Sequence, residues 1–305
     1  MNLLLDPRQT AARLPWAALV DEIEALLADH SVHVPPRSVL PLAGGGSLFA
    51  MPACDARTAM TKLITFTPGN VGSATPTIQG DVTVFDVASG SRRLILDGPT
   101  VTARRTAAVS ALAARRLAPN LGGPALIVGA GVQGRAHLEA FAEALGVRRF
   151  VIASRRRASA EALAAHAHRL GLAAAVTTEP DAALIDCPLA VTCTPADAVV
   201  LRARPRGDAF IAAVGAFTAA MAELDPALCR HVFQHGRIVL DSADAAHEAG
   251  DLLQAGLEVA ALPTLQQALA SGPAPARADG GPLLFKSCGW AGWDLAAARL
   301  ALRQP

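Results

Sequence analysis

The chain has 305 residues, 52% of them hydrophobic, and its 27 basic side chains nearly balance 26 acidic ones. This composition indicates a folded protein with a large core in one or two domains rather than a disordered chain. The balanced charge and the lack of a basic stripe with interleaved aromatic residues argue against a nucleic-acid partner, and no apolar run approaches the ~20 residues that a membrane span requires.

The first segment, "MNLLLDPRQT", reaches Asp6-Pro7 before the apolar core of a signal peptide could form. The cysteines are scattered and contain no CxxC pair. They are Cys54, Cys187, Cys193, Cys229 and Cys288. This pattern predicts small buried hydrophobic side chains in a reducing cytoplasm and gives no sign of a metal site.

In the first third of the chain, "LPWAALVDEIEALLADH" has an apolar face at helical spacing and predicts a helix. Three strand-like segments follow, "AMTKLITFTP", "TIQGDVTVFDVASG" and "SRRLILDG". We expect them to be antiparallel because the links between them are too short for helical crossovers. A long helix is predicted over "PTVTARRTAAVSALAARRLA".

After "PNLGG", strand and helix patterns alternate through "ALIVGAG", "RRFVIAS", "ASAEALAAHAHRLG", "AAAVTT", "LAVTCTP", "AFIAAVGA" and "RIVLDS". This alternation predicts a parallel sheet with helices on both faces. The tail "LLFKSCGWAGWDLAAARLALRQ" is predicted to end in a helix, and Ser271–Gly281, "SGPAPARADGG", is predicted to be a flexible segment.

Gly129, Gly131 and Gly134 in "GAGVQG" fit the G-x-G-x-x-G pattern between a strand and a helix. The first glycine allows the tight turn, the second lets the backbone approach a pyrophosphate, and the third packs the helix on the strand. Because the motif lies between the required strand and helix, it predicts a dinucleotide site that includes Val132 and Gln133.

The end of the next strand, "FVIASRRRAS", indicates which dinucleotide is preferred. NAD enzymes usually place an acidic residue there, about 20 residues after the motif, whereas this chain has Ser154 and Arg155. A hydroxyl and a guanidinium would bind a 2′-phosphate, so NADP(H) is favoured over NAD(H). The alternative is a solvated basic start to the next helix.

The cofactor's reactive end should lie at the carboxyl ends of the later strands, where Thr194 and Gly215 would line the cleft. In the N-terminal part, Arg37, Lys62 and Arg105 are the unusual cations, the last two in apolar surroundings. Buried cations need an anionic partner, which a substrate carboxylate would supply. An internal ion pair with Asp81, Asp86 or Asp97 is an equal alternative.

Six motifs run in order along nearly the whole chain. They are "TKLITF…PGN", "TVTARRTAAVSALAA", "GAGVQGRAH", "VGA…AELD", "DSADAAHEAGD" and "FKSCGWAGWDLAAA". On these motifs the chain resembles the ornithine cyclodeaminase/mu-crystallin family. The resemblance implies an α/β protein: a Rossmann dinucleotide-binding domain at 117–285, and an α+β substrate-binding and dimerisation domain at 1–116 completed by the C-terminal helix at 286–305. It also implies a homodimer.

The resemblance also assigns site residues. Arg37, Lys62 and Arg105 match the family's contacts to the substrate carboxylate, with Lys62 and Arg105 as the catalytic pair. The positions that match cofactor contacts are Thr106, Gly129, Gly131, Val132, Gln133, Ser154, Arg155, Thr194 and Gly215. The family often has alanine where this chain has Gly134, which we expect to be a harmless difference.

One departure decides between activities. The cyclodeaminases carry an aspartate two residues after the glycine of "VGA", and this chain has Phe217 there, in the substrate pocket. Phenylalanine cannot accept a proton. The glutamate that cyclodeaminases carry upstream is also replaced, with Phe49 in that neighbourhood, whereas Asp225 is expected only to cap a helix.

The sequence therefore predicts an NAD(P)H-dependent reductase of small cyclic ketimino acids such as Δ1-pyrroline-2-carboxylate. Reduction of an already electrophilic iminium needs positioning more than a strong base. The alternatives are an ornithine cyclodeaminase in which another group replaces the aspartate, and a crystallin-like protein that binds NADPH and a small ligand. His137 is expected to have a packing role, and Lys286 is assigned no chemistry. Asp241 and Glu248 match family positions, and local capping and structural hydrogen bonds explain them as readily as catalysis.

Overall fold

The computed structural model of the protein describes residues 4–70, 73, 75–196, 198–271 and 281–304. The chain forms two compact units, unit 1 (Met1–Arg105 with Trp290–Pro305) and unit 2 (Thr106–Gly289). The domain boundaries predicted from sequence, at 116/117 and 285/286, are offset from these divisions. The first offset arises because one unbroken helix crosses the division and buries its later residues in unit 2.

Unit 1 is an antiparallel sheet with helices against it. Its strands lie in the order β1-β2-β3-β4-β5. Its elements are α1 (Pro7–Ala12), α2 (Trp16–Leu27), β1 (Ser38–Pro41), β2 (Ser47–Cys54), β3 (Thr58–Phe66), β4 (Ile78–Asp86), β5 (Arg92–Asp97), the start of α3 (Gly98–Leu117) and α10 (Ala291–Arg303). The predicted helix over α2 and the three predicted antiparallel strands are confirmed.

Sequence patterning missed strands β1 and β2. Each strand contains a proline, Pro41 in β1 and Pro52 in β2, and the glycine cluster Gly44–Gly46 lies between them. Gly44 and Gly45, both with positive φ, form the tight turn that joins the strands, and the Leu42 N–H closes it on the Gly46 carbonyl at 2.8 Å. The cluster is therefore a hairpin turn inside the sheet.

The inner face of this sheet is mostly apolar, and Lys62 is a charged side chain buried in it. Register places Lys62 between Met51 of β2 and Val82 of β4, and all three side chains are buried. Helix α10 packs on β2, β3 and α2. The prediction that the C-terminal helix completes the N-terminal domain is thus confirmed.

Charged side chains also fix α10 on α2. Arg299 of α10 places Nε 2.7 Å from the Glu22 carboxylate and Nη1 2.9 Å from Asp29 and 3.3 Å from Asp55. Arg303 pairs with the same Glu22. Three carboxylates around one guanidinium fix the orientation of the C-terminal helix in unit 1.

Unit 2 is the predicted α/β domain, and its fold class is confirmed. A seven-stranded parallel sheet has the order β11-β12-β10-β9-β6-β7-β8. The strands are β6 (Ala125–Val128), β7 (Arg149–Ala153), β8 (Ala173–Thr177), β9 (Leu189–Thr192), β10 (Phe210–Ala213), β11 (Arg237–Leu240) and β12 (Leu283–Lys286). The helices are α4 (Val132–Leu145), α5 (Arg157–Arg169), α6 (Pro180–Asp186), α7 (Pro226–His235), α8 (Gly250–Gln254) and α9 (Leu265–Ala270).

The strand order reverses between β6 and β9. Chain-successive strands run from β6 through β7 to β8 on one side, and from β9 to β10 on the other. In open α/β sheets such a reversal leaves a crevice at the carboxyl ends of the strands, where ligands bind. The predicted site residues Gly129, Ser154, Thr194 and Gly215 come one or two residues after the ends of β6, β7, β9 and β10.

The sequence did not predict strand β12, which lies between β10 and β11. Its four residues, all buried, begin the tail segment for which only a final helix was predicted. The flexible segment predicted at Ser271–Gly281 lies, for residues 272–280, outside the described residues. Within the described part of the chain, no helix is long and apolar enough to cross a membrane.

Candidate active site

The glycine turn has the geometry that its motif predicts. Gly129 follows β6 with φ of +115°, and a Cβ there would lie 2.7 Å from the Cys193 carbonyl oxygen, so only glycine fits. Gly131 is the N-cap of α4, and a Cβ added to it would meet nothing within 4 Å. The backbone of the turn is therefore open to a ligand at the start of a helix.

Gly134 corrects one expectation. A Cβ at this position would lie 1.9 Å from the Gly129 carbonyl oxygen and 3.3 Å from a methyl group of Ile127. Alanine could be accommodated only if the α4 backbone moved away from β6. The difference from relatives with alanine is therefore not harmless in this chain, since helix and strand lie closer than a methyl group allows.

The first turn of α4 fits the phosphates of a dinucleotide. No side chain caps the helix N-terminus, Val132 is 72% exposed and Gln133 is half-buried. Backbone N–H groups at such an end attract anions, because they lack partners within the helix and the helix dipole is positive there. Open backbone at Gly131 and uncapped N–H groups are the features that a pyrophosphate requires.

Ser154 and Arg155 lie at the same edge of the sheet as this turn. They directly follow β7, whose last residue, Ala153, accepts the Gly129 N–H through its carbonyl at 2.9 Å. Ser154 is half-buried and Arg155 is exposed. Arg157 pairs with Glu161 one turn along α5 at 2.8 Å.

His137, on α4, has the structural role that the sequence predicted. Its Nδ1 donates to the Gln133 carbonyl at 2.8 Å, and its Nε2 lies 3.0 Å from the Ser110 hydroxyl of α3. Burial lowers the pKa of His137 to about 4, so the ring is neutral and joins two helices. Thr106 is buried in α3 at the beginning of unit 2.

The two predicted cleft residues, Thr194 and Gly215, are bound by one carboxylate that the sequence reading missed. Glu223 accepts the Thr194 N–H at 2.7 Å and its hydroxyl at 2.8 Å on Oε1. On Oε2 it accepts the Gly215 N–H at 2.6 Å and the Thr192 hydroxyl at 2.9 Å. Glu223 thus ties together the chain segments that leave β9 and β10.

The sequence pattern accounts for the nearby Asp225 as a helix cap but gives no separate signal for Glu223. Asp225 caps α7 by accepting the Ala227 N–H at 2.7 Å, as the sequence predicted. The side chain two residues earlier instead enters the interior, where burial raises the pKa of Glu223. All four groups that contact its carboxylate are donors, and this arrangement favours the ionised form.

A second buried ion pair supports this carboxylate. Asp251 accepts the Glu223 N–H at 2.6 Å on one oxygen, and its other oxygen lies 2.7 Å from the Lys286 ammonium. Burial alone would lower the pKa of Lys286, but Asp251 and other anionic neighbours outweigh it and the pKa is raised. Lys286 also donates to the Ala216 carbonyl at 2.6 Å, so its role is structural.

Phe217, predicted to lie in the substrate pocket, follows β10 and is half-buried against the apolar core of unit 2.

Asp241 holds the chain after β12. It accepts the Ser287 hydroxyl and the Gly289 N–H at 2.7 Å each. Within the residues described, no group of three or more histidine, cysteine or acidic side chains is arranged to hold a metal ion.

In unit 1, Lys62 and Arg105 meet at one carboxylate. The Lys62 ammonium lies 2.7 Å from Oδ2 of Asp294, and Nε of Arg105 lies 3.3 Å from Oδ1. The three side chains are 1%, 7% and 0% exposed. They come from β3, α3 and α10.

The ion-pair alternative is thus correct in kind but wrong in partner. The carboxylate is Asp294, 232 residues after Lys62, rather than one on the neighbouring strands. Asp97 instead accepts the Thr100 N–H at the start of α3. Asp86 holds the hairpin turn through Ser89, at 2.7 and 2.9 Å.

Electrostatics link the third predicted cation to this cluster. The pKa of Lys62 is lowered to about 8, first by burial and then by the positive charges of Arg105 and Arg37, while Asp294 opposes the shift. Arg37 is half-buried immediately before β1. Lys62 and Arg105 share the Asp294 carboxylate, and the charge of Arg37 also acts on Lys62, so an anion that approached these side chains would be attracted by positive charge.

A family model and several known proteins match nearly the whole chain. The ornithine cyclodeaminase/mu-crystallin family model matches residues 4–303. Delta(1)-pyrroline-2-carboxylate reductase 2 of Burkholderia ambifaria is 38% identical over 300 residues, covering 97% of this chain and 94% of the relative. Delta(1)-pyrroline-2-carboxylate/Delta(1)-piperideine-2-carboxylate reductase of Azospirillum brasilense is 38% identical over 302 residues, covering 98% and 94%.

A solved structure shows the same fold. The Thermococcus litoralis Delta(1)-pyrroline-2-carboxylate reductase, in complex with NADH and L-proline, matches with a TM-score of 0.90 at 22% identity, over 99% of this chain and 96% of that chain. Since the family model spans nearly the whole chain and the two reductases exceed 30% identity over almost their full length, the chain belongs to the ornithine cyclodeaminase/mu-crystallin family.

Proposed function

We propose that the protein reduces small cyclic ketimino acids, such as Δ1-pyrroline-2-carboxylate, with NADP(H) as the preferred cofactor. The observation that carries the proposal is the buried cluster of Lys62, Arg105 and Asp294, in which two cations share one carboxylate. A substrate carboxylate supplies the missing negative charge. The two relatives named as pyrroline-2-carboxylate reductases support this substrate class.

Each cation has a distinct part in this proposal. Arg105 and Arg37 clamp the substrate carboxylate, since a guanidinium binds carboxylate oxygens in pairs. Lys62 donates a hydrogen bond to the same carboxylate and offsets charge near the imine. When bound, the reduced nicotinamide supplies a hydride for the imine carbon; with one proton on nitrogen, the C=N bond becomes the CH–NH of a cyclic amino acid.

The Rossmann turn and the strand end after β7 would hold the cofactor. The open backbone at Gly131 and the uncapped start of α4 suit the pyrophosphate. Ser154 and Arg155, which stand where an NAD-specific protein would carry an acid, suit a 2′-phosphate. Thr194 and Gly215, fixed through Glu223, are proposed to line the nicotinamide end of the site.

Phe217 separates this reaction from ammonia elimination. A cyclodeaminase needs a group that handles the substrate amine, and a phenyl ring partly packed in the core has no proton to exchange. Phe217 is a bulky apolar side chain at that position, and this favours a crystallin-like ligand-binding protein as the second candidate. The two candidates differ in whether bound substrate is turned over.

The absorbance of the reduced nicotinamide distinguishes a ketimine reductase from a ligand-binding protein. Purified protein with NADPH is mixed with Δ1-pyrroline-2-carboxylate or its six-membered homologue, and ammonia release from ornithine and NAD is assayed in parallel. Oxidation of NADPH on either ketimine is expected. Tight NADPH binding without turnover on either ring would favour the binding protein, and ammonia from ornithine without ketimine reduction would favour the lyase.

Lys62→Met tests the substrate-binding role. It removes a charged hydrogen-bond donor while keeping much of the side-chain volume, so kcat/KM for the ketimine is expected to fall roughly 10- to 100-fold, in line with about 1.5–3 kcal/mol for such a bond. NADPH affinity, measured by titration, should not change. Normal turnover by this variant would remove Lys62 from the site.

We also propose that the protein is a cytoplasmic homodimer. All five cysteines are free, which suits a reducing compartment that supplies NADPH. The sheet face opposite Lys62 exposes Leu40 and Leu63, which are 57% and 48% exposed, on strands whose register places them on the same side. A second copy of the chain would cover this face, because apolar side chains grouped on one surface mark an association site.

A further inference from the structure

The Asp294 carboxylate lies between Lys62 and Arg105, two of the three cations of the candidate substrate site. It lies in the first turn of α10, is fully buried, and directs one oxygen to Lys62 and the other toward Arg105. We propose that Asp294 is a positioning residue for ketimine reduction, which holds the Lys62 ammonium in its charged form and keeps Arg105 beside it as a single carboxylate-binding group. This inference rests on the proposed function.

The two halves of the cluster are held differently. The Lys62 ammonium donates a hydrogen bond of 2.7 Å to Asp294. Arg105, in contrast, is 3.3 Å from the other oxygen, and neither its Nε nor that oxygen has a hydrogen-bond partner among the described residues. Charge rather than a directed bond therefore keeps Arg105 in place. Its guanidinium is left able to turn its paired N–H groups toward a ligand.

The charges that face Lys62 explain why it needs Asp294. Arg105 reaches it from α3, Arg37 approaches from the segment before β1, and Asp294 is the anion that opposes them. Burial and the two guanidinium groups lower the pKa of Lys62 to about 8 even with Asp294 present. Without the Asp294 charge the ammonium would lose its proton at a lower pH, and the site would lose a cation at neutral pH.

Asp294→Asn removes the negative charge of this side chain while keeping its shape, and so tests the positioning role. In the wild type, kcat/KM for the ketimine is expected to fall as the pH rises through about 8, because neutral Lys62 no longer attracts the carboxylate. In Asp294→Asn this alkaline limb should move to lower pH by at least about one unit, the lower end of the effect of a close opposite charge. An alkaline limb that stays in place would overturn the proposal.

Glu22→Gln is the matched control. Glu22 is also a buried carboxylate between two cations in unit 1, Arg299 and Arg303, and it has no contact with Lys62 among those described. Its loss should lower stability and leave the alkaline limb at the wild-type pH. A control variant that shifts the limb as far as Asp294→Asn would show that the shift reports general damage, and would also overturn the proposal.

Lys62→Arg covers the case in which Asp294→Asn does not fold. A guanidinium stays charged throughout the measurable range, so the alkaline limb near pH 8 should vanish while Asp294 keeps a cationic partner. A limb that persists in Lys62→Arg would show that Lys62 does not set it, and the positioning role would fail.

A binding measurement separates this inference from the proposed function. Pyrrole-2-carboxylate, a planar ring carboxylate that cannot be reduced in this way, is titrated against the NADP-loaded wild type and Asp294→Asn, with tryptophan fluorescence as the signal. Trp293, adjacent to Asp294, is fully buried and Trp290 packs edge-on to it at 4.9 Å. Failure of ketimine turnover would reject the proposed function, whereas equal pH dependence of binding in both proteins would reject the role of Asp294.

Discussion

Ser154 and Arg155 are two adjacent residues on which the proposed cofactor preference depends. Ser154→Asp with Arg155→Ala replaces a hydroxyl and a cation by an anion that repels a 2′-phosphate and accepts bonds from ribose hydroxyls. The ratio of kcat/KM for NADPH over NADH is expected to fall roughly 10- to 100-fold, since a charged hydrogen bond contributes about 1.5–3 kcal/mol.

Arg157→Ala is the control for that experiment. It removes a neighbouring arginine whose Nε already pairs with Glu161 at 2.8 Å, so the cofactor ratio should not change. An unchanged ratio in the double variant as well would mean that the 2′-phosphate pocket lies elsewhere in unit 2.

Glu223 accepts hydrogen bonds from the two predicted cleft residues, Thr194 and Gly215, so replacing it should affect both stability and turnover. Glu223→Gln keeps the shape but directs an amide N–H₂ toward groups that are themselves donors. We expect a loss of about 1–3 kcal/mol in the free energy of unfolding, because buried donors lose their acceptor. We also expect kcat to fall more than KM for the ketimine rises, since Thr194 and Gly215 are no longer fixed.

Asp225→Ala, two residues after Glu223, is the control variant for Glu223→Gln. It removes the N-cap of α7, which costs about 1 kcal/mol of stability, and should leave kcat and KM as they are. If Glu223→Gln behaved in the same way, losing stability without losing turnover, the carboxylate would be a structural brace alone.

At the scale of elements, the C-terminal helix is fixed by Arg299. Arg299→Met leaves three carboxylates, one of them the buried Glu22, without this cation. The free energy of unfolding at neutral pH is expected to fall by about 2–4 kcal/mol, as for a buried pair that loses one partner. Arg303→Met, at a 55% exposed position, should cost less than about 1 kcal/mol. Urea unfolding midpoints measure both, and equal losses would contradict the central role of Arg299.

The same elements show what local sequence could predict. The helices α2, α3 and α5 and the strands β3 to β5 carry their own periodicity. The strands β6 to β11 form short, mostly apolar segments in the alternation of strand and helix, and the glycine turn specifies its backbone, so these elements were predictable. β1 and β2 were not predicted because prolines and a glycine turn interrupt their pattern, and β12 was not predicted because it lies in a tail segment read only as the approach to the last helix.

The candidate site also contains residues that local sequence could reveal and residues that it could not. Lys62 and Arg105 are conspicuous as cations in apolar surroundings, so the sequence could propose them. Their partner Asp294 and the carboxylate of Glu223 sit in segments with ordinary helical or capping patterns. Only tertiary contacts across 232 and 31 residues reveal what they hold.

For the molecule as a whole, the proposed dimer requires that the outer face of the unit 1 sheet pack against a second copy of the chain. Leu63→Glu places a charge where the second copy would pack, so the mass by light scattering should fall from that of two chains to that of one. Leu170→Glu, at a 47% exposed apolar position in unit 2, should leave the mass unchanged. A wild-type protein that is already a single chain would end the proposal.

Unit 1 is discontinuous along the chain, and this has a consequence for its synthesis. Lys62 leaves the ribosome 232 residues before Asp294. At about 5–20 residues per second, that interval is on the order of ten to fifty seconds. During it the sheet lacks the helix that covers its inner face, and Lys62 lacks the anion that makes its burial tolerable. Unit 2, contiguous from Thr106 to Gly289, can complete its core first. Unit 1 acquires its final core only when α10 is made, so the cations proposed to bind substrate are the last part of the protein to be assembled.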